Sequence, residues 1–307
     1  MTSTRRDFLK HAGLIAAGTT LSSSVPASLF AETADKPFFK ISLAEWSLHR
    51  SLNSGQLSNL DFPAKAKRDF GIDAVEYVNV FFADKANDKG YLKELKKRCE
   101  DNGVRSLIIM VDGEGELANT DTSLRNKSVE NHYKWVDAAK FLGCHSIRVN
   151  CAGQGSPESV SLAGIDGLRK LSEYGKQANM NVIVENHGGY SSNGQWLSGV
   201  IRSVGMPNCG TLPDFGNFSR GSDPWYDRYK GIEELMPFAK GVSAKVFDMD
   251  ADGNCVETDF VKMMKIVKAS GYRGYVGVEY DASRFSEDEG IRRTKLLLEK
   301  VAASMMD

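Results

Sequence analysis

Short runs rich in β-branched and other apolar residues recur along the chain at nearly even intervals. Eight such runs are found, at Ile41–Ser47, Ile72–Val78, Arg105–Val111, His145–Cys151, Asn181–His187, Cys209–Asp214, Gly241–Phe247 and Tyr275–Asp281. Their first residues are separated by 31, 33, 40, 36, 28, 32 and 34 positions. A strand with its crossover helix and two loops needs about 30 residues or more. The spacing therefore predicts eight repeated β/α units.

The segments between these runs have the pattern of amphipathic helices. Segment 91–103 places Leu92, Leu95 and Cys99 on one helical face, with charged residues opposite and a glycine at its end. Segment 131–143 repeats this design. Eight such units favour an α/β fold in which the sheet closes into a single-domain (β/α)8 TIM barrel. The alternative is a doubly wound open sheet, but no G-x-G-x-x-G motif follows the first strand.

The first 31 residues have the pattern of a targeting segment and not of a folded element. Arg5 and Arg6 are followed by Phe-Leu-Lys after one aspartate, then by a mild apolar stretch and a region rich in Ser, Thr and Ala that ends near Ala27 or Ala31. The pattern resembles a twin-arginine export signal. It implies transport to the periplasm by the twin-arginine export machinery and cleavage near one of the two alanines. The alternative is a frayed amphipathic helix.

The remaining residues, 32–307, form the predicted barrel. The apolar stretch of the signal is too short to span a bilayer, so we expect no stable membrane insertion. The chain carries 39 Lys and Arg against 40 Asp and Glu, a net charge of −1, which argues against a nucleic-acid partner. The cysteines show no C-x-x-C pair or zinc-type spacing and are interpreted as core residues. They are Cys99, Cys144, Cys151, Cys209 and Cys255.

Three carboxylates stand at the ends of three of the predicted strands. Glu185 ends strand five, Asp214 ends strand six and Glu279 ends strand eight. The active sites of barrels lie at the carboxyl ends of the strands, so the three side chains are expected at one mouth. Like charges this close raise one another's pKa unless a cation lies between them. Oxygen ligands favour Mg²⁺ or Mn²⁺, and a histidine in the set allows Zn²⁺ or Co²⁺. The alternative is that each carboxylate caps a helix or pairs with a neighbouring base.

Four short motifs at the strand ends resemble a known family. Val-Glu-Asn-His-Gly, Asp-Phe-Gly-Asn, Ala-Lys and Gly-Val-Glu-Tyr, on strands five to eight, are similar to those of the xylose isomerase-like TIM barrel superfamily, in its branch of sugar phosphate isomerases and epimerases. The resemblance covers roughly residues 38–305. It implies that Glu185 and Glu279 are both metal ligands and the catalytic pair that transfers the proton. It implies a third metal ligand in Asp214.

Two positions depart from the family pattern. Ser243 stands where the family has a histidine two residues before Lys245, and Asn217 stands where relatives have a histidine on strand six. The fourth metal ligand is therefore left open. The metal could be held by three carboxylates and water, supplemented by a Gln or His of a neighbouring strand. Weak metal binding, or none, is also compatible with the sequence.

The expected reaction is proton abstraction next to a carbonyl of a small carbohydrate, through an enediolate, by a sugar isomerase or epimerase. Lys245 is a catalytic candidate that stabilises oxyanion charge or binds a substrate hydroxyl; alternatively it pairs with Asp248 or Asp214.

One other function is a lyase or hydratase that acts on a keto-sugar or glycoside by β-elimination. Another is a carbohydrate-binding barrel without catalysis. A DNA-cutting enzyme like endonuclease IV is disfavoured, because few histidines are present.

Five residues near the strand ends are candidates for substrate binding. His187 follows Glu185 on strand five, Trp46 lies at the end of strand one, and His49 follows that strand. Asn217 lies after strand six, and Trp225 lies in a mixed polar and aromatic loop beyond it. Aromatic rings at such positions can stack on a sugar, although packing at the rim explains them equally well. The sequence does not indicate an oligomeric state.

Overall fold

Parallel strands alternate with helices along the part of the chain that the computed structural model describes, residues 37–218 and 226–306. These residues belong to one compact unit, Lys36–Asp307. The eight strands are β1 Lys40–Ala44, β2 Ala74–Val78, β3 Arg105–Met110, β4 Ser146–Val149, β5 Asn181–Glu185, β6 Cys209–Leu212, β7 Val242–Val246 and β8 Tyr275–Tyr280. The predicted α/β fold with eight strands is confirmed.

The strands form one parallel sheet in the order β6-β5-β4-β3-β2-β1-β8-β7. Beyond the ends of this order, β6 and β7 are joined by two isolated parallel bridges, Thr211 with Ala239 and Asp214 with Ser243. The backbone N–H of Ser243 donates to the carbonyl of Pro213 at 2.9 Å across the same gap. These contacts close the sheet into a barrel, and we call this junction the β6–β7 seam.

Helices follow the strands and surround the sheet. They are α1 His49–Asn53, α2 Phe62–Phe70, α3 Lys89–Asn102, α4 Thr122–Leu142, α5 Pro157–Gln177, α6 Gly194–Val204, α7 Arg228–Leu235, α8 Phe260–Ala269 and α9 Glu287–Ala303. Local sequence sets their ends: the Asp121 carboxylate accepts hydrogen bonds from the first backbone N–H groups of α4, and Gly143 ends that helix at φ 84°. None of the described helices is long and apolar enough to cross a membrane.

The observed elements differ from the sequence prediction mainly at their ends. The predicted strand five extended to His187, but β5 ends at Glu185, opposite Leu212, and the next residue, Asn186, bonds the main chain of Asp214 through its side chain. The helix expected at 131–143 begins nine residues earlier, at Thr122, behind its aspartate cap. The proposed export signal lies outside the described residues.

The core has two parts. The larger cluster lies mainly between sheet and helices and includes fully buried Trp135 and Phe62. The second cluster is formed largely by strand residues such as Val78, Ile108 and Leu212. The barrel also encloses several buried charged side chains, among them Glu76, Arg148 and Lys245. Because buried charges require partners, these side chains mark the region where the functional site is to be sought.

Candidate functional site

Three buried carboxylates converge inside the barrel near the carboxyl ends of the strands. Glu185 is the last residue of β5, Asp214 follows β6 and Glu279 lies in β8. One oxygen atom from each lies within 4.8 Å of the others, and the three side chains are at most 4% exposed. The sequence predicted that these residues would lie together, and the structure brings them together. We call them the carboxylate triad.

Asp214 is fixed by its own backbone and by Asn186. Its Oδ1 accepts hydrogen bonds from the backbone N–H groups of Gly216 and Asn217, both at 2.8 Å. Its backbone N–H donates to Asn186 Oδ1 at 2.8 Å. The second carboxylate oxygen, Oδ2, is buried and accepts no hydrogen bond from any described residue. An unpartnered buried carboxylate oxygen is costly unless an additional group, such as a cation, binds it.

Glu185 is held from two directions. Asn217 Nδ2 donates a hydrogen bond to its Oε1 at 2.8 Å, and the Nε atom of Arg148 lies 2.8 Å from its Oε2. Arg148 is itself 4% exposed and donates through Nη1 to Asp112 Oδ1 at 2.8 Å. The nearby carboxylates hold the pKa of Arg148 above its ordinary value in spite of its burial. Arg148 therefore fixes the position of the Glu185 side chain at the barrel mouth.

Glu279 contacts two side chains of the neighbouring strand β7. Ser243 Oγ donates a hydrogen bond to its Oε2 at 2.9 Å, and Lys245 Nζ donates one to its Oε1 at 2.7 Å. Burial raises the pKa of Glu279, but Lys245 and Ser243 outweigh this effect, so that its pKa lies below the ordinary value. The surrounding carboxylates hold the pKa of Lys245 above its ordinary value.

The interior of the barrel carries more acidic than basic groups. Burial raises the pKa of Asp214 well above its usual range, and the charges of Glu279 and Glu185 add to the effect. Burial and the same two carboxylates raise the pKa of Glu76, on β2, to about 7. The two buried cations of this cluster, Arg148 and Lys245, match two of its four buried carboxyl groups, and the raised pKa values of Asp214 and Glu76 reflect the lack of a cation for the other two. A divalent cation would supply the missing positive charge.

The triad fits a divalent cation by geometry as well as by charge. Oxygen ligands lie about 2.0–2.6 Å from Mg²⁺ or Ca²⁺, so that two ligands of one ion are at most about 5 Å apart. The triad oxygens meet this limit, and the unpartnered Asp214 Oδ2 is available as a ligand. Among the described residues no histidine belongs to this group, so the predicted alternative of a neighbouring His ligand finds no support.

Sequence reasoning missed three charged residues that support the site. Arg148 lies in the short apolar strand β4, Glu76 lies in β2, and Asp112 follows β3. Arg148 and Glu76 each interrupt a run of apolar residues in a predicted strand. That interruption is the sequence signal that could have identified them. A charged side chain at a buried strand position needs a buried partner, which directs attention to the barrel interior.

A further buried acid, Glu45, links the first two strands. It follows β1, and its Oε2 accepts a hydrogen bond from the backbone N–H of Val78 at 2.9 Å, while Oε1 accepts one from Asn59 Nδ2 at 2.8 Å. Burial outweighs both bonds and raises the pKa of Glu45 to about 8. We interpret Glu45 as a structural group, since its oxygens are occupied by the scaffold.

The structure places the aromatic candidates of strand one beside the site. Trp46 stacks on His49 with ring centroids 4.9 Å apart, and it faces Phe81 at 6.0 Å. His49 Nδ1 lies 2.8 Å from the carbonyl oxygen of Trp46, and its Nε2 lies 3.9 Å from Asp281 Oδ1. Asp281 in turn lies 3.4 Å from Lys245 Nζ. A short chain of contacts thus connects Trp46 and His49 with the triad.

A cavity of about 470 Å³ opens between the segments that follow β4 and β5. Its walls are polar and rich in glycine, with one aromatic ring. They consist of Glu116, Cys151, Ala152, Gly153, Gln154, His187, Gly188, Gly189 and Tyr190. The exposed His187, two residues after Glu185, lines this cavity and does not join the triad. The volume is within the range of about 300–1,000 Å³ typical of small-molecule sites.

Two other predicted residues have different surroundings from those expected. Lys245 pairs with Glu279 and Asp281, so the alternative expectation of a pair with Asp248 or Asp214 was wrong; Asp248 instead pairs with Arg284. Asn217, a predicted substrate ligand, donates to Glu185. The remaining candidate, Trp225, lies outside the described residues.

Comparisons with known proteins agree with this fold. A family model described as a xylose isomerase-like TIM barrel matches residues 64–301. Among proteins with curated functions, none matches the chain in sequence.

Three similar solved structures have low sequence identity and nearly complete coverage. The IOLI protein with a binding zinc atom shares 16% identity at a TM-score of 0.68, covering 87% of this chain and 99% of that one. D-psicose 3-epimerase in the presence of D-fructose shares 13% sequence identity at a TM-score of 0.66, and the match covers 86% of this chain and 100% of that one. A xylose isomerase-like TIM barrel protein from Mycobacterium smegmatis in complex with magnesium shares 14% sequence identity at a TM-score of 0.65. The match covers 88% of this chain and 97% of that one.

Proposed function

Because the chain belongs to the xylose isomerase-like TIM barrel family, we propose that it is a divalent-metal-dependent carbohydrate isomerase or epimerase. The observation that carries the proposal is the carboxylate triad, with Asp214 Oδ2 buried and unpartnered among the described residues. Structures of similar fold hold zinc or magnesium, and one is a sugar epimerase, which supports a metal and a sugar here.

The triad residues would hold the cation. When bound, a divalent cation polarises a carbonyl oxygen and so acidifies the neighbouring C–H bond. Glu185 and Glu279 would take up and return that proton, each at a carboxylate oxygen atom. Return to the same carbon from the other face gives epimerisation. Return to the adjacent carbon, with transfer of the hydroxyl proton to the former carbonyl oxygen, gives isomerisation. Asn217 and Arg148 orient Glu185, and Ser243 orients Glu279.

The substrate would enter through the cavity formed by the segments after β4 and β5, whose wall includes His187, two residues after Glu185. The polar groups of Gln154 and His187 can bind sugar hydroxyls there, and the ring of Tyr190 can pack against an apolar sugar face. Trp46 and His49 offer a second stacked surface near Lys245. Lys245 Nζ can donate a hydrogen bond to negative charge that develops on the substrate oxygen.

The test is exchange of the substrate α-proton with solvent. Residues 32–307 with Mn²⁺ are incubated in D₂O with a panel of ketohexoses and keto-glycosides, and deuterium incorporation is followed by NMR. We expect Glu279→Gln to lower the exchange rate by about 10²–10⁴-fold, as loss of a general base does. Glu299→Gln, an exposed position on α9, is the matched control. Exchange at the wild-type rate in Glu279→Gln would contradict the assignment, and loss of a β-substituent would indicate a lyase.

Metal content is measured separately by elemental mass spectrometry. We expect near-stoichiometric divalent metal in the protein purified without chelator and its loss in Asp214→Ala. A protein that binds neither Mn²⁺, Mg²⁺, Zn²⁺ nor Co²⁺ would refute metal dependence and would favour the carbohydrate-binding barrel without catalysis.

We also propose that the protein is exported to the periplasm by the twin-arginine machinery. The support is the sequence alone, Arg5-Arg6 followed by a short apolar stretch. Replacement of both arginines by lysine should retain the precursor in the cytoplasm, as cell fractionation would show. Unchanged export of that variant would contradict the proposal.

A further inference from the structure

Lys245 occupies a position between two acceptors that differ in their role. Its Nζ lies 2.7 Å from Oε1 of Glu279, a member of the triad, and 3.4 Å from Oδ2 of Asp281, which is not a member. The Lys245 side chain is 5% exposed, whereas that of Asp281 is 24% exposed. Both acceptors belong to one short stretch at the end of β8.

The ammonium group of Lys245 would lie very close to a metal ion held by the triad. A divalent ion binds a carboxylate oxygen at about 2.0–2.6 Å. An ion on Glu279 Oε1 would therefore be at most about 5 Å from Lys245 Nζ. Two like charges at that distance repel strongly in a buried site. Without a metal, the same ammonium group partly neutralises three buried carboxylates.

Asp281 gives the ammonium group a second partner within reach. The lysine stem is long and flexible, so a small movement brings Nζ from Glu279 to Asp281 without loss of an ionic partner. Asp281 also lies 3.9 Å from His49 Nε2, so that it already belongs to the polar network at the mouth. Arg148, the other buried cation near the triad, is bound on both sides by Asp112 and Glu185.

From this geometry, and building on the metal dependence proposed above, we propose that Lys245 is an internal competitor of the metal. Its ammonium group occupies Glu279 when the triad is empty and moves to Asp281 when a divalent cation binds. Lys245 thereby lowers the affinity for the metal, and Asp281 limits this penalty. The residue is a positioning and affinity-setting group for the metal, in addition to any contact with substrate.

The experiment measures the Mn²⁺ dissociation constant of residues 32–307 by the electron paramagnetic resonance signal of free Mn²⁺, at one fixed pH. The variants are Lys245→Met, Asp281→Asn and the double variant, with Lys240→Met, two residues before the start of β7, as the control. We expect Lys245→Met to bind Mn²⁺ at least tenfold more tightly, Asp281→Asn to bind it more weakly, and Lys240→Met to bind it as the wild type does.

The double variant tests whether Asp281 acts through Lys245. If it does, Asp281→Asn loses most of its effect in the Lys245→Met background; equal effects in both backgrounds would overturn the movement onto Asp281. Unchanged or weaker binding by Lys245→Met, with a wild type that binds Mn²⁺, would overturn the competition and leave the proposed function intact. Absence of binding in wild type and Lys245→Met would refute the metal site itself. Lys245→Gln serves if the methionine variant does not fold.

Discussion

The buried carboxyl group of Glu45 should make the stability of the protein fall as the pH rises. Its pKa is about 8 in the folded protein, against 4.5 for an ordinary glutamate. Between these two values the folded state binds more protons than the unfolded state, so each pH unit removes up to about 1.4 kcal/mol of unfolding free energy. The stabilisation of the folded protein that results from the raised pKa of Glu45 is fully present below about pH 4.5 and is lost as the pH approaches 8. From pH 5 to pH 8 the loss amounts to about 4 kcal/mol.

The assay compares urea unfolding of the wild type with that of Glu45→Gln at pH 5, 6, 7 and 8, with EDTA present. Glutamine stays neutral, and its carbonyl can still accept the Val78 N–H bond. Glu76 changes the stability of both proteins in the same direction, so the difference between them isolates Glu45. Glu100→Gln, at an exposed position of α3, is the control. A difference between wild type and Glu45→Gln that is constant over this pH range would refute the reasoning.

Three further changes test the scaffold. Arg148→Met should lower the unfolding free energy by about 3–5 kcal/mol, because it leaves Glu185 buried without its cation; an unchanged urea midpoint would contradict this. Gly290→Ala places a Cβ 2.2 Å from the Tyr280 ring, and we expect a loss of about 1–3 kcal/mol, seen as a lower melting temperature. Asn193→Ala removes the cap that accepts the Trp196 N–H, at a cost of about 1 kcal/mol, which urea unfolding can measure.

The barrel could be predicted from the sequence because its signals are local and repeated. Each strand is a short apolar run, and helices such as α3 and α4 end on glycines at positive φ. The three triad members could be predicted for a related reason, since each is the polar residue that ends an apolar strand. Strand ends were less well predicted, because the contacts made there involve residues far away in sequence. The Asn186 side chain, for example, bonds the main chain of Asp214 just beyond the end of β5.

The partners of the triad could not be predicted from the sequence. The alternative expectation paired Lys245 with Asp248 or Asp214, but it pairs with Glu279 on the adjacent strand β8 and with Asp281, which follows that strand. Arg148 reaches Glu185 from β4 in the same way. Such pairs depend on the register between neighbouring strands. Neither the composition nor the spacing of the strands predicts that register to within one residue.

The β6–β7 seam separates the triad into two groups. Glu185 and Asp214 stand on the β5 and β6 side, whereas Glu279 stands on β8, whose neighbour β7 forms the opposite side. An ion bound by all three would act as a cross-link between β5 and β6 on one side of the seam and β8 on the other. Loss of that ion would remove this cross-link, so opening of the seam and emptying of the site would be coupled.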